Sequence, residues 1–322
     1  MAAPVAVIDL ENFPAELEKL AAAAARQGCF RIVKHGMRPS LEAEMKAVTR
    51  SLFEIPAEVK LLNINERIDN GSYVPPTKMG RFFESFSIYD AASLADVHAF
   101  CSILQVSEYQ REILCECVAE LYGVMMNVAG KVAESLGLNG YSFEEWACGA
   151  RLHLYNFKEE EDIGSIGLPG HTDSNFLTLV IEDDSVGGLE IMNANKDFVA
   201  IDPVPGAFLV FVGDAAKAWS NGRMRNAMHR VICKAATPRI SIVYYLLAPK
   251  DDRIEPEPAL IDSDHPKLYQ SFMYGEYRKL RNAYHLKTEE MIFPLLKAEE
   301  HQVTISTSLS DKLLQSLSNY LH

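Results

Sequence analysis

The sequence predicts a β-sandwich or barrel core carried between helical flanks, and three observations point there. From residue 150 to 250 the chain runs through short β-prone stretches: RLHLYNF, FLTLVIE, GLEIM, FVAI, AFLVFV, HRVICK and ISIVYYLLA. Gly, Pro, Asn and Asp separate them, a spacing that favours a sandwich or barrel over a βαβ fold. The chain on either side of this block reads as mainly helical, and neither a repeat nor a low-complexity linker divides it. The expected organisation is therefore a helical N-terminal region (1–146), a β core (147–250) and a helical tail (251–322), joined by short loops.

Taken in order, Pro14 to Gln27 reads as a helix, rich in alanine from 21 to 25, with Gly28 as its stop. CFRIVK (29–34) follows as a strand, and a second helix is expected from Pro39 to Phe53. Residues 63–90 read as a loop, because Gly71, Pro75, Pro76 and Gly80 break any period. A long helix from Glu108 to Leu136 should end at Gly137, with Asn139-Gly140 as the turn. Beyond Pro249 the chain turns polar, then helical over Lys267–Tyr284, and a last helix is expected over 288–320.

Composition narrows the function. Hydrophobic residues make up 48% and charged residues 23%, as in an ordinary globular protein. The net charge of −13 argues against non-specific nucleic-acid binding and against an anionic membrane surface. An acidic small-molecule substrate would need a local basic partner. Asp9 and Glu11 stand where a signal peptide would be apolar, and no apolar run approaches the ~20 residues of a membrane span. The cysteines at 29, 101, 115, 117, 148 and 233 have no zinc-finger spacing, so reduced thiols in a cytoplasmic protein are expected.

The chemistry concentrates in GHTDSNFLTL (170–179). On a strand, residues two apart share a face, so a strand beginning near 171 would project His171 and Asp173 together. His229, which opens an apolar β-like run, is the candidate third ligand. Two imidazoles and one carboxylate occupy one face of an octahedral iron and leave the other open. The same donors also suit catalytic zinc. Arg239 and Ser241, two apart in PRISIVYYLLA, decide between these uses. An arginine inside so apolar a strand needs an anion, either an internal Asp or Glu or a bound ligand, and its planar fork suits a carboxylate. Ser241 can donate to the same group, and Tyr155 in RLHLYNF is a possible third donor. A carboxylate-bearing cosubstrate beside the metal accounts for all of them, whereas a zinc hydrolase gives Arg239 and Ser241 no task.

These stretches, together with VAVIDL, GCFRIVKHG, VGGLEIM, IDPVPGAFLVFVGD and AWSNGRMRNAMHRV, resemble the plant 2-oxoglutarate- and Fe(II)-dependent dioxygenases over nearly the whole chain. The resemblance implies a double-stranded β-helix, or jelly roll, wrapped by helices. It implies that His171, Asp173 and His229 ligate iron, and that Arg239 and Ser241 hold the distal carboxylate of 2-oxoglutarate with Tyr155 assisting. GSYVPP, RFFESFSIYDAAS, VHAFCSIL and LLAPKDD make the chain most similar to the dioxygenases for auxin oxidation. Those convert indole-3-acetate to 2-oxindole-3-acetate, with succinate and carbon dioxide as co-products and ascorbate as a supporting reductant. HLYN stands where the family more often has an Asn-basic-Tyr run.

The expected partners are a small aromatic substrate and dioxygen, without nucleic acid or membrane, in a monomer or weak homodimer. Alternatives are a hydroxylase or oxidative demethylase of another specialised metabolite, such as an alkaloid or phenolic, or a non-catalytic small-molecule-binding member. Tyr73, Phe82, Phe83, Phe157 and Phe176 are candidate walls for a flat substrate. Arg225, Arg223 and Lys158 are candidate partners for its carboxylate.

Overall fold

A computed structural model describes residues 5–64, 72–76, 80–249 and 251–283. β1 (Val7–Asp9) leads to α1 (Leu17–Arg26), which buries Leu20, Ala23 and Ala24. Gly28 ends α1 at φ +69°, and a Cβ there would lie 2.0 Å from the Arg225 carbonyl oxygen, so no other residue fits. β2 (Cys29–Val33) follows, then α2 (Pro39–Phe53), with proline in its first turn where no N–H is needed, and α3 (Ala57–Lys60).

The segment expected to be a loop holds two strands instead, β3 (Tyr73–Val74) and β4 (Phe83–Ile88). Every residue of β4 is buried. Its polar letters hide this, because Glu84 is neutralised inside the protein by Lys60 and by the Tyr73 hydroxyl, each at 2.6 Å. After α4 (Leu94–Ile103), α5 (Glu108–Ser135) starts at a capping box. Ser107 Oγ accepts from the Gln110 N–H at 3.2 Å and Gln110 Oε1 from the Ser107 N–H at 2.8 Å. α5 is long and apolar enough to cross a membrane by composition, and half of its most apolar stretch is buried. It packs on α1, α2 and α4.

The β-rich region supplies β5 (Trp146–Tyr155), β6 (Ile166–His171), β7 (Leu177–Glu182), β8 (Leu189–Met192), β9 (Phe198–Ala200) and β10 (Phe208–Val212). A short helix, α6 (Asp214–Trp219), precedes β11 (His229–Ile232) and β12 (Arg239–Pro249). β13 (Arg253–Ile254) pairs with β14 (Phe272–Met273), and α7 (Tyr274–Ala283) closes the described chain. The helix expected from Lys267 thus starts seven residues later, after a strand. Tyr284 and the helix expected over 288–320 lie outside the described residues.

The strands form an eight-stranded sheet, β1-β2-β10-β7-β12-β5-β4-β3, and a four-stranded sheet, β6-β11-β8-β9. All neighbours are antiparallel except β1 and β2. This is a jelly-roll double-stranded β-helix with helices packed outside it. Strand alternation sorts the side chains. Leu152, Leu179, Val210, Ile242 and Tyr244 face the helices and share their core. Tyr155, Val180, Leu209, Phe211 and Val243 face inward, in one cluster with Leu189, Ile191 and Val231 of the small sheet. The inward face of the large sheet is where polar residues collect.

Candidate metal centre

His171 is the last residue of β6 rather than the first of a strand, and Asp173 lies in the bend that follows. The two converge because the chain turns, not because a pleat aligns them. His229 opens β11 directly opposite His171 in the antiparallel pair. The two imidazole centroids are 4.3 Å apart. Asp173 Oδ1 lies 3.7 Å from His171 Nε2 and 3.9 Å from His229 Nε2. Among the described residues, this is a group of histidine and carboxylate donors whose ligand atoms all fall within 4.8 Å of one another. A cation about 2.1 Å from each donor would draw them together slightly.

The donors are prepared for a metal. His171 Nδ1 lies 2.8 Å from the Pro169 carbonyl and His229 Nδ1 3.0 Å from the Ala227 carbonyl. Each Nδ1–H donates to its carbonyl, which fixes the tautomer and leaves Nε2 as a lone pair facing Asp173. Burial, then the neighbouring His229, holds the His171 pKa well below its ordinary value, so the ring is neutral. Burial opposes the Asp173 charge, but both imidazoles and the Thr178 hydroxyl outweigh it and keep its pKa low. Thr178 Oγ1 donates to Asp173 Oδ2 at 2.6 Å. Phe211 stacks on His229 at 4.2 Å between centroids. Gly213 allows β10 to end against the same bend: a Cβ there would sit 1.9 Å from the Asn175 carbonyl oxygen. The next N–H, of Asp214, donates to the Asp173 carbonyl at 2.8 Å.

Helix α7 grips the bend from outside the sheets. Arg281 donates to the Thr172 carbonyl and hydroxyl and to the carboxylate of fully buried Asp214. Asp214 also accepts from Tyr277 Oη at 2.6 Å and Asn226 Nδ2 at 2.5 Å. Thr172 thus ties the bend to α7. Asp214→Ala strands a buried guanidinium, so we expect about 3–5 kcal/mol of lost stability, read as a lower Tm in thermal unfolding. An unchanged Tm would show that the network contributes nothing.

A second polar cluster lines the large sheet. Arg239 is 1% exposed and stands opposite Tyr155, while Ser241 stands opposite His153. Arg239 Nε and Nη1 have no hydrogen-bond partner among the described residues. Its guanidinium carbon lies 5.2 Å from the Tyr155 ring centroid. Burial raises the Tyr155 pKa, only partly offset by Arg239, so the phenol keeps its proton and can donate. One cross-strand row, Ser85, His153, Ser241 and Glu182, runs beside this pair. Ser85 Oγ, His153 Nε2 and Glu182 Oε1 are buried without partners among the described residues. Burial, then the charges of Arg151 and Arg239, keeps His153 neutral. Glu182 is balanced by buried Arg31, which pairs with its other oxygen. A buried guanidinium with two nitrogens unpartnered among the described residues, beside the orphaned Ser85 hydroxyl, fits a bound carboxylate, and next to the His-Asp-His group it fits a metal-chelating keto acid.

The other candidates separate into two groups. Phe82, Phe83 and Phe157 lie on the inward side, with Phe83 5.4 Å and Phe157 6.3 Å from the Tyr155 ring centroid and Phe82 5.0 Å from Phe157. Phe176 and Tyr73 do not line this space. Phe176 is fully buried among Phe143, Trp146 and Trp219 in the helix-facing core, and Tyr73 packs on Phe86 there. Arg223 and Arg225 are committed to the backbone carbonyls of Leu260 and Arg26. Lys158 is exposed. The sequence reading overlooked His153, Thr178, Asp214 and Arg281. Walking back from Tyr155 in steps of two would have found His153 and, one step further, Arg151.

Comparison with known proteins agrees with this geometry. The model of the 2OG-Fe(II) oxygenase superfamily matches residues 146–247, and that of the non-haem dioxygenase in morphine synthesis N-terminal region matches residues 5–85. The chain is 47% identical over 267 residues to a rice (Oryza sativa subsp. japonica) protein named 2-oxoglutarate-dependent dioxygenase DAO, covering 83% of this chain and 88% of that one. It is 29% identical over 297 residues to rice flavanone 3-dioxygenase 2, covering 86% and 83%. The crystal structure of the dioxygenase for auxin oxidation in rice superposes with a TM-score of 0.84 at 44% identity, over 92% of this chain and all of that one. Dioxygenase for auxin oxidation 1 from Arabidopsis thaliana, bound to 2-oxoglutarate, gives 0.77 at 41% identity, over 82% of this chain and all of that one.

Proposed function

The chain belongs to the 2-oxoglutarate- and Fe(II)-dependent oxygenases, and on that premise we propose that it oxidises a small aromatic carboxylic acid, with indole-3-acetate as the first candidate and 2-oxindole-3-acetate as the product. The observation that carries the substrate is the 47% identity, spanning 88% of its length, to a dioxygenase whose name refers to auxin oxidation. The reaction class itself, a 2-oxoglutarate-dependent dioxygenase using Fe(II), follows from the family.

We assign iron to His171, Asp173 and His229. Bound Fe(II) supplies redox chemistry: dioxygen is reduced as 2-oxoglutarate loses carbon dioxide to become succinate and the organic substrate gains an oxygen atom. The chain's own residues do the rest. Neutral imidazoles and one ionised carboxylate leave a net positive charge on a divalent ion, which favours an anionic chelator. Arg239 takes the distal carboxylate of 2-oxoglutarate, with Ser241 and Tyr155 donating alongside it. Thr178 fixes the Asp173 carboxylate, and the two backbone carbonyls fix the imidazole planes. Phe83, Phe157 and Phe211 make the surroundings apolar, which strengthens each of these contacts and keeps water away.

Incubation with Fe(II), ascorbate, 2-oxoglutarate and a panel of indole-3-acetate, phenolic acids and an alkaloid, followed by mass spectrometry, tests this. We expect indole-3-acetate to gain the mass of one oxygen, faster than any other compound. Oxidation of a phenolic or alkaloid with indole-3-acetate untouched would overturn the substrate while leaving the reaction class intact.

A further inference from the structure

Among the described residues, Arg239 is one of two arginines on the inward face of the large sheet that stand without a carboxylate. The other is Arg151. Strand alternation puts it on the same side of β5 as His153 and Tyr155. It is half-buried, and among the described residues no carboxylate or hydrogen-bond acceptor is paired with it. In a chain of net charge −13 with carboxylates to spare, an inward guanidinium left unpaired is conspicuous. Its cross-strand neighbour on β4 is Ser87, 4% exposed, whose hydroxyl is buried without a partner among the described residues. Arg151 thus stands across the strand pair from a buried hydroxyl that no described residue engages.

The two arginines are not parts of one pocket. Arg239 lies opposite Tyr155 and Arg151 opposite Val243, four residues along the strand, or about 13 Å. That distance takes Arg151 out of the cosubstrate cradle and towards the metal ligands. The next inward row from Arg151 is Gly149, Tyr245, Thr178 and Phe211. Thr178 bonds Asp173 and Phe211 stacks on His229, so this row lies under the metal group. Two strand spacings, about 10 Å, separate β5 from β7 across β12. That is roughly the length of a bicyclic aryl acetate. Tyr245 lies between, and the Arg151 charge reaches both its hydroxyl and His153.

We propose that Arg151, with the Ser87 hydroxyl, is the anchor for the substrate's own carboxylate, holding an aryl-acetic acid so that its ring lies over Tyr245 towards His229 and Asp173. This rests on the reading that the substrate is an aromatic carboxylic acid. The site then holds two different anions, the keto acid at Arg239 and the substrate at Arg151, and their separation keeps each from occupying the other's place. It also explains why a neutral relative of the substrate would be rejected: Arg151 would be covered and left unpaired.

The test is calorimetric binding without dioxygen, to protein loaded with Fe(II) and 2-oxoglutarate. The ligands are indole-3-acetate and its neutral counterpart indole-3-acetamide, and the proteins are wild type, Arg151→Gln and Arg151→Lys. Wild type should bind the acid at least tenfold more tightly than the amide. Arg151→Gln should lose at least tenfold for the acid and little for the amide, and Arg151→Lys should recover part of the loss. The 2-oxoglutarate affinity should stay within twofold throughout, which also reports that the variants are folded. Equal binding of acid and amide by wild type, an unchanged acid affinity in Arg151→Gln, or a fall in 2-oxoglutarate affinity instead would overturn the proposal. Wild type that binds the acid through Arg151 but does not oxidise it would sustain the anchor and refute indole-3-acetate as the substrate.

Discussion

Replacing His229 by alanine is expected to abolish Fe(II)-dependent turnover, by at least about a thousandfold, while the protein stays folded. Residues that only support a metal ligand cost 10–100-fold when removed, and loss of a ligand costs more. His229 has no substitute nearby: among the described residues, the only other donors within reach are His171 and Asp173. Its loss also leaves those two without a partner across the strand pair. The fold should tolerate the change, because outside the ligand group the imidazole engages the Ala227 carbonyl and the Phe211 ring and neither holds two elements together alone. Calorimetric Fe(II) titration and circular dichroism read the two halves of this prediction separately. Stoichiometric iron binding with wild-type turnover in this variant would remove His229 from the ligand set.

Arg239→Ala should raise the KM for 2-oxoglutarate by at least about a hundredfold, since each hydrogen bond to a charged group contributes about 1.5–3 kcal/mol and a carboxylate takes two from a guanidinium. Arg239→Lys keeps the charge but loses the fork, and should fall between alanine and wild type. The stability of the 2-oxoglutarate-free protein provides a second readout. Arg239 Nε and Nη1 have no partner among the described residues, so removing them relieves the free protein of two buried, unpaired donors. Its Tm should hold or rise. A guanidinium that served an internal carboxylate would behave in the opposite way: the Tm would drop and the 2-oxoglutarate KM would not move.

The parts of this site that were legible in the sequence are those that obey strand periodicity. Arg239 and Ser241 are two apart on an extended strand and do share a face, and Tyr155 does stand opposite Arg239. His171 and Asp173 were brought together for a reason that did not hold. β6 ends at His171, and it is the bend, tied down by Gly213, Asp214 and Arg281, that turns Asp173 back. Such a clamp comes from a helix more than a hundred positions away, and no local pattern announces it. β4 was missed because Glu84, Ser85 and Ser87 look like loop residues. Their polarity is satisfied or directed inside the protein, by Lys60 in the first case and into the inner chamber in the others. Phe176 shows the converse: an aromatic residue near the ligands in sequence sits in the bend before β7, which turns it into the helix-facing core among Phe143, Trp146 and Trp219. The N-terminal helices were legible from glycine stops, as at Gly28 and Gly137, because those signals act within a few residues.

The roles proposed for both arginines and for the metal group meet in one reaction, so the most direct measurement is its stoichiometry. With Fe(II), 2-oxoglutarate, dioxygen and indole-3-acetate present, succinate and oxidised indole product should form in equal amounts, and neither should form at an appreciable rate when iron or 2-oxoglutarate is left out. Oxidised product at full rate without 2-oxoglutarate, or with no succinate accompanying it, would contradict the assignment of the His171, Asp173 and His229 group to iron and of Arg239 to the keto acid.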